Sequence, residues 1–194
     1  EPLSNLDARL RMDMRAELKH LHHVAGATTI YVTHDQVEAL TMSSAIAVMK
    51  EGVLQQLGTP DTVYRYPSNL FVADFIGNPK VNLLEGVARD NVVEIGSFAI
   101  PTAGTKAAGP VILAIRPEDI SISMVPISGA LECNVYSVLP AGADTTVVVK
   151  SQKLEITIKE PGTSKVAMDD KVWLRFDPNM INLYTKETGS LIAS

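Results

Sequence analysis

Apolar residues recur at helical spacing along the first 25 positions. The members of this stripe follow one another at intervals of three or four and are Leu6, Leu10, Met14, Leu18 and Leu21. Charged side chains fill most positions between them, so the pattern predicts one amphipathic helix. Gly26 is a suitable stop for that helix, because glycine readily adopts the left-handed conformation found at helix ends.

The next stretch combines a strand pattern with a helix start. Residues 28–33, Thr-Thr-Ile-Tyr-Val-Thr, are β-branched or aromatic and predict a buried strand. His34 follows where that strand ends. Asp35 can cap a helix, and Glu38, three residues on, gives a capping-box pattern. A histidine at the carboxyl end of a buried strand lies where α/β folds bind ligands, although such a residue is more often purely structural.

Turn residues divide the following segment into a hairpin and two short helices. Residues 45–49 and 53–57 predict two strands joined through Gly52. Thr59 followed by Pro60 predicts a helix start, and a helix then runs to about residue 66. Ser68 is expected to cap a second helix, which Gly77 ends.

From Asn82 onward the helical periodicity disappears. Short β-branched segments alternate with Gly, Pro, Asn and Asp, and they occupy 83–88, 92–95, 111–115, 130–138, 145–149, 154–159, 171–176 and 180–184. This pattern predicts a small barrel or sandwich. The predicted fold class is therefore an α/β part, residues 1–77, followed by an all-β OB-like barrel, residues 78–194, with a hinge at 78–80.

Composition and net charge disfavour several classes of function. The net charge of −5 disfavours nucleic acid as the main partner. Cys133 is the only cysteine, which excludes an internal disulfide and fits a reducing compartment. The chain has no apolar run of about 20 residues and opens without the pattern of a signal peptide. These features predict a cytoplasmic location.

Four segments together resemble the ATP-binding subunits of ABC importers of the maltose and glycerol-phosphate type. Residues 1–7 are similar to the end of the Walker B strand and the D-loop, and residues 31–39 to the switch histidine and its helix. Residues 56–77 resemble the end of the cassette. Residues 116–120, Arg-Pro-Glu-Asp-Ile, resemble the TOBE domain that follows it.

The resemblance implies roles for individual residues. Glu1 takes the position of the carboxylate that orients the attacking water, and His34 that of the group contacting the γ-phosphate. The D-loop residues Ser4, Asn5, Leu6 and Asp7 are implied to face a second copy of the subunit. Ser4 and Asp7 are also good helix caps, and the two interpretations are compatible.

The missing motifs matter equally. The phosphate-binding sequence G-x-x-x-x-G-K-[S/T], the Q-loop and the LSGGQ motif are absent. We therefore expect a piece of a longer subunit that uses ATP and Mg²⁺, pairs with a second copy and with transmembrane permease subunits, and lies on the inner face of the membrane. Alone, this chain is expected to bind neither cofactor and to be inactive. Its lone strand would also expose an edge that a neighbour normally covers.

Two other function classes remain open at this point. An OB-like module can bind small anions or act purely as a regulatory domain, without ATPase activity. A self-standing enzyme has less support, because Cys133 has no partnered histidine and no nucleophile-elbow pattern is present. Carbohydrate is the transported class that the resemblance favours, and importers of polyamines, phosphate esters and metal oxyanions share the same motifs.

Overall fold

The computed structural model describes residues 7–96, 98–104, 107–151 and 154–192. The chain divides into two compact units, one ending at Tyr66 and the other beginning at Pro67. The described part is mostly β-strand with few helices, and the second unit is all-β apart from one short helix and two 3₁₀ turns. The predicted fold class is confirmed.

The first unit begins with the predicted amphipathic helix, α1 (Ala8–Ala25). Asp7 caps it by accepting the backbone N–H groups of Arg9 and Leu10, both at 3.0 Å. Gly26 ends it with φ of 60°, as predicted. Within the apolar stripe, Leu10 and Leu21 are 43% and 63% exposed, whereas Met14 and Leu18 are partly buried.

The strand predicted at residues 28–33 is wrong. Residues 27–33 form neither helix nor strand, and Ile30 and Val32 are 90% and 72% exposed. The β-branched composition reflects a capacity for strand structure, but a strand also needs a hydrogen-bonded neighbour. No described strand pairs with this segment, so Ile30 and Val32 gain no buried environment.

The rest of the first unit follows its turn chemistry. After α2 (Gln36–Met42) come the antiparallel strands β1 (Ile46–Lys50) and β2 (Val53–Gly58). Gly52 in the connection has φ of 78°. Thr59 then caps α3 (Pro60–Arg65) through the backbone N–H of Thr62 at 3.2 Å. Both the hairpin and this helix start were predicted from sequence.

The second unit contains two five-stranded antiparallel sheets. Its strands are β3 (Asn82–Asp90), β4 (Val92–Ile95), β5 (Phe98–Pro101), β6 (Ala107–Ile115), β7 (Ile120–Ser123), β8 (Leu131–Pro140), β9 (Asp144–Ser151), β10 (Leu154–Pro161), β11 (Lys171–Phe176) and β12 (Asn182–Thr185). One sheet has the order β12-β6-β3-β4-β5 and the other β10-β9-β8-β11-β7. The four-residue strands β5 and β7 were not predicted, because such short runs carry little periodicity.

A single apolar core joins the two sheets. Alternating residues of β6, β9 and β10 point inward, including Leu113, Val149 and Ile158, each fully buried. This period of two is what a sheet with one buried face requires. Trp173 of β11 is of intermediate exposure.

Asn82 links the two sheets through its side-chain amide. Its Nδ2 donates to the carbonyl of Thr157 at 2.8 Å, and its Oδ1 accepts the N–H of Thr157 at 2.8 Å. Nδ2 also lies 3.4 Å from the carbonyl of Ile115. Asn82 thus supplies β10, an edge strand of one sheet, with the two hydrogen bonds a neighbouring strand would give.

Replacing Asn82 by alanine should lower the free energy of unfolding of the second unit by about 2–4 kcal/mol. The change leaves both backbone groups of Thr157 without their partner, and each buried unsatisfied group costs about 1–3 kcal/mol. Denaturant unfolding monitored by circular dichroism measures the loss. The matched control is Asn134→Ala, at an exposed position of β8, which should stay within about 0.5 kcal/mol of wild type. Equal midpoints for the two variants would contradict the linking role.

The segment between the first unit and β3 is part of the second unit. It contains α4 (Leu70–Phe75), which Asn69 caps, one residue later than the predicted Ser68. Val72 and Ala73 are fully buried, and Ala73 packs with Val81, Ala114 and Tyr184. The compact units therefore divide at Tyr66, whereas the sequence places the domain boundary after Gly77. Residues 67–77, named the strap here, are where the two divisions differ.

Candidate functional site

His34 lies between the irregular segment 27–33 and the first turn of α2. Its side chain is exposed to solvent. The next residue, Asp35, caps α2 by accepting the N–H groups of Val37 at 2.8 Å and Glu38 at 3.2 Å. This half of the predicted capping box is present. A short helix with a good cap therefore presents His34 at its amino-terminal end.

The other half of the capping box is replaced by a different contact. Glu38 does not return to the backbone of Asp35; the N–H of Asp35 instead donates to Thr33 Oγ1 at 2.9 Å. Thr33 Oγ1 in turn donates to Glu38 Oε2 at 2.7 Å. The threonine hydroxyl thus stands between the two groups that a capping box would join directly.

Glu38 is the buried acceptor of this cluster. It is only 3% exposed, and its Oε2 also accepts the hydroxyl of Tyr31 at 3.0 Å. Its Oε1 lies 3.5 Å from Nη2 of Arg15. Burial, followed by the hydrogen bond to Glu38, raises the pKa of Tyr31 to about 12. Tyr31 therefore remains a hydrogen-bond donor throughout the physiological pH range.

Arginines of α1 meet the same carboxylates. Arg15 Nη2 lies 2.8 Å from Asp35 Oδ2, and Arg11 Nη1 lies 3.7 Å from the same oxygen. Lys19 further along α1 donates to the carbonyl of Thr41 at 2.8 Å. One face of α1 is thereby joined to both ends of α2. Arg11 and Arg15 are four residues apart on one helix face, a spacing that indicates a shared partner but that does not identify it.

The remaining predicted site residues are located only in part. Asp7 caps α1, which fits the helix-capping interpretation and leaves its D-loop role a prediction. Glu1, Ser4, Asn5 and Leu6 lie outside the described residues. The sequence analysis named His34, Asp35 and Glu38, but it did not name Arg15 or the hydroxyls of Tyr31 and Thr33, which the structure places against the two carboxylates.

Arg116 of the Arg-Pro-Glu-Asp segment has a structural environment. It is 6% exposed, and its Nη1 donates to the carbonyl of Ala73 at 3.2 Å and to the carbonyl of Ile76. Both carbonyls belong to the end of α4, where cations are favoured by the helix dipole. This guanidinium therefore holds the strap.

The alternative of an anion-binding module has little support in the one groove described for the second unit. The groove, about 430 Å³, is lined by Phe98, residues 130–134, Lys150 and Ser151. Lys150 lies 3.3 Å from Glu155 and 3.4 Å from the ring centre of Tyr136. Glu132 contributes a carboxylate to the same wall. A groove whose cation is already paired, beside a carboxylate, does not favour an anion.

Cys133 does not support a self-standing enzyme. Its side chain is 2% exposed, and burial raises the pKa of its thiol to about 11. A neutral buried thiol is a poor nucleophile. Within the described ranges, no three His, Cys, Asp or Glu side chains lie close enough to bind a metal ion. None of the described helices has both the length and the hydropathy of a membrane span.

Comparison with protein families gives a match within the second unit. The TOBE domain family matches residues 113–181. Among solved structures, the cytoplasmic molybdate-binding protein ModG with molybdate bound is similar at a TM-score of 0.43 and 12% identity, over 56% of this chain and 96% of that one. That similarity is too low to support an argument.

Curated relatives match nearly the whole chain. The trehalose/maltose import ATP-binding protein MalK of Thermococcus litoralis is 42% identical over 99% of this chain and 56% of its own length. The xylose/arabinose import ATP-binding protein XacK of Haloferax volcanii is 39% identical over 99% and 53%. The sn-glycerol-3-phosphate import ATP-binding protein UgpC of Salmonella typhi is 39% identical over 99% and 55%.

The chain spans about half the length of these relatives. The resemblance seen in the sequence is thus confirmed: the curated proteins that this chain matches are import ATP-binding subunits of ABC transporters, for sugars or for sn-glycerol-3-phosphate, and the chain matches their carboxyl-terminal region, in which residues 113–181 match the TOBE domain.

Proposed function

We propose that this chain is the carboxyl-terminal part of the ATP-hydrolysing subunit of an ABC importer, and that carbohydrate is the transported class. The observation that carries the proposal is His34: an exposed imidazole at the start of α2, beside a buried Glu38, in a chain that matches import ATP-binding proteins over 99% of its length. In the subunit, His34 donates a hydrogen bond to a γ-phosphate oxygen, where negative charge develops during hydrolysis.

Two further groups complete the proposed site. Glu1 orients the attacking water through its carboxylate, as a general base or positioning group. Ser4, Asn5, Leu6 and Asp7 face a second copy of the subunit, so that the two ATP sites are coupled. The support for both roles is the resemblance of residues 1–7 to the end of Walker B and the D-loop.

ATP and Mg²⁺ are cofactors of the full-length subunit in this proposal. The described residues do not fit a Mg²⁺ site, since no three potential ligand side chains converge. The sequence also lacks the glycine-rich loop and lysine that cradle the β- and γ-phosphates. This chain alone is therefore expected not to hydrolyse ATP.

The proposed partners follow from the same family. They are a second copy of the subunit and the transmembrane permease subunits, which hold the ATPase on the cytoplasmic face of the membrane. The β unit serves subunit contacts and regulation. A net charge of −5 is consistent with protein partners and disfavours nucleic acid.

Substitution of His34 by alanine in the full-length subunit, assembled with its permease, should reduce ATP hydrolysis by about 100- to 1,000-fold. This is the usual cost of removing one donor that stabilises transition-state charge. Affinity for ATP should change little, because the contact strengthens mainly in the transition state. Phosphate release and equilibrium nucleotide binding measure the two quantities separately.

The matched control is His23→Ala, at an exposed position near the end of α1, which should hydrolyse ATP at the wild-type rate. Wild-type hydrolysis by the His34 variant would refute the proposed role. The intact mass of the native gene product should be measured before these variants are made. A product of about 40 kDa, from roughly 110 Da per residue for a complete cassette plus β-domain, supports the proposal, and one near 20.9 kDa refutes it.

A further inference from the structure

We propose that Arg15 of α1 is a positioning residue for His34, fixing the turn that presents the imidazole by bridging the carboxylates of Asp35 and Glu38. The inference rests on the proposed role of His34 for its catalytic consequence. Its geometric content concerns only residues of this chain and is testable without ATP.

One nitrogen of Arg15 makes both bridging contacts. Nη2 lies 2.8 Å from Asp35 Oδ2 and 3.5 Å from Glu38 Oε1. The side chain is 19% exposed and that of Glu38 is 4% exposed. Charge pairs that are largely removed from water are weakly screened, so losing one partner is costly. The sequence separation of 20 residues between Arg15 and Asp35 makes this a tertiary contact between α1 and the cap of α2.

The carboxylates that Arg15 holds control the residues on either side of His34. Asp35 is its chain neighbour and the cap of α2. Glu38 accepts the hydroxyls of Thr33 and Tyr31 at 2.7 and 3.0 Å. Thr33 Oγ1 then accepts the N–H of Asp35 at 2.9 Å. Thr33 and Asp35, on either side of His34, are thus held through the carboxylates of Glu38 and Asp35, with which Arg15 pairs.

These side-chain contacts matter because no helix or strand fixes the backbone in the segment just before α2. Residues 27–33 lie outside every described helix and strand. The direction of the backbone entering His34 therefore depends on the side-chain cluster. A displacement of about 1 Å in a catalytic group can cost roughly 100-fold in rate, so a loosened cluster should lower turnover while leaving nucleotide binding nearly intact.

The charged and titratable neighbours of the cluster predict how variants will behave. Arg11 lies 3.7 Å from Asp35 and can retain part of the pairing. Arg15 Nε is buried without a hydrogen-bond partner among the described residues, so Nη2 carries the contact. A lysine ammonium can replace one such point contact but cannot reproduce the guanidinium fork. Arg15→Lys should therefore recover part of what Arg15→Met loses.

The test compares Arg15→Met and Arg15→Lys with Arg9→Met, a matched change at an exposed position of the same helix. In the 194-residue chain, the imidazoles are labelled for NMR, and the His34 signals are assigned by their loss in His34→Gln. Arg15→Met should shift and broaden the His34 signals. Arg15→Lys should change them less, and Arg9→Met should leave them unchanged. In the full-length subunit with its permease, Arg15→Met should lower kcat about 10- to 100-fold with KM for ATP within about twofold. Arg15→Lys should fall between.

Unchanged His34 signals in Arg15→Met would overturn the inference. If Arg15→Met loses helical circular dichroism, the result for Arg15→Lys is used instead. A folded Arg15→Lys variant with wild-type His34 signals would also overturn the inference. Adding Arg15→Met to His34→Ala should bring no further loss of kcat, and an additive loss would assign Arg15 a separate, merely structural effect. Should His34→Ala itself hydrolyse ATP normally, the proposed function fails, while the NMR comparison still tests the geometry.

Discussion

A chain that begins at Asn78 is expected to lose the folded β unit, whereas a chain that begins at Pro67 is expected to keep it. The difference is the strap, residues 67–77. Its Val72 and Ala73 are fully buried and Ile76 is 2% exposed. Burial of each large apolar side chain contributes about 1.5–3 kcal/mol. Removing the strap would therefore uncover part of the apolar surface that stabilises the sheets.

The strap is also fastened by hydrogen bonds to the end of the chain. The hydroxyl of Tyr184 donates to the carbonyl of Pro67 at 2.9 Å. The backbone N–H of Leu70 donates to Gly189 at 2.9 Å, and that of Leu191 donates to Ser68 at 3.0 Å. Burial raises the pKa of Tyr184, so this phenol remains a neutral donor. Without the strap, a fully buried hydroxyl would lose its acceptor.

The contacts of Arg116 add to the stability that is lost when the strap is removed. Its guanidinium is 6% exposed and donates to the carbonyls of Ala73 and Ile76. Gly77 leaves room for it, because a Cβ there would lie 2.7 Å from Arg116 Nη1 and the residue has φ of +120°. A chain starting at Asn78 would lose both of these acceptors, and each lost hydrogen bond to a charged group costs about 1.5–3 kcal/mol.

Together these losses amount to roughly 5–10 kcal/mol, comparable to the whole stability of a domain. Thermal unfolding followed by circular dichroism should show a cooperative transition for the chain from Pro67 and none for the chain from Asn78. In the intact chain, Arg116→Met should cost about 2–4 kcal/mol, and its control, Arg175→Met on the exposed side of β11, about 0.5 kcal/mol or less. Equal transitions for the two shortened chains would refute this role of the strap.

The sequence predicts elements best where local chemistry decides them. Asp7, Gly26, Gly52 and Thr59 each occupy the cap or turn that their side chain or backbone freedom favours. These caps and turns involve atoms only a few residues apart, so they can be predicted from the sequence alone. The alternation of apolar residues in β6, β9 and β10 can be recognised for the same reason.

Contacts distant in sequence were not predictable in this way. Arg15 looks like one charged residue on a solvated helix face, and only the structure brings it 2.8 Å from Asp35. Arg116 likewise lies 40 residues from Ile76, whose carbonyl it caps. The failed strand at 28–33 has the same origin, because its residue types describe what the segment can form and the available neighbours decide what it forms.

Glu38→Ala is expected to release α2 and the segment that carries His34. The carboxylate accepts the hydroxyls of Tyr31 and Thr33 and pairs with Arg15. Removing it leaves Arg15 with only Asp35 and opens a small cavity under the helix. Breaking a buried ion pair by removing one partner costs about 3–5 kcal/mol, which exceeds what a seven-residue helix gains on its own.

Hydrogen exchange of the amides of residues 35–42 measures this local opening directly. In Glu38→Ala these amides should exchange at rates close to those of an unfolded chain. In the matched control Glu17→Ala, at an exposed position of α1, they should keep wild-type protection. Wild-type protection in both variants would mean that the carboxylate does not hold α2.

Glu38→Gln separates charge from hydrogen bonding within the same site. Its amide oxygen can still accept from Thr33 and Tyr31, but it no longer attracts Arg15, so protection should fall between wild type and Glu38→Ala. The pKa of Tyr31, raised to about 12 chiefly by burial and then by Glu38, should move part of the way back toward 10. Since a raised folded-state pKa contributes stability that is fully present below the unfolded value, wild type should lose protection of α2 as the pH rises from 10 through 12. Glu38→Gln should show a smaller loss over that window, because the buried ring remains while the neighbouring negative charge is gone.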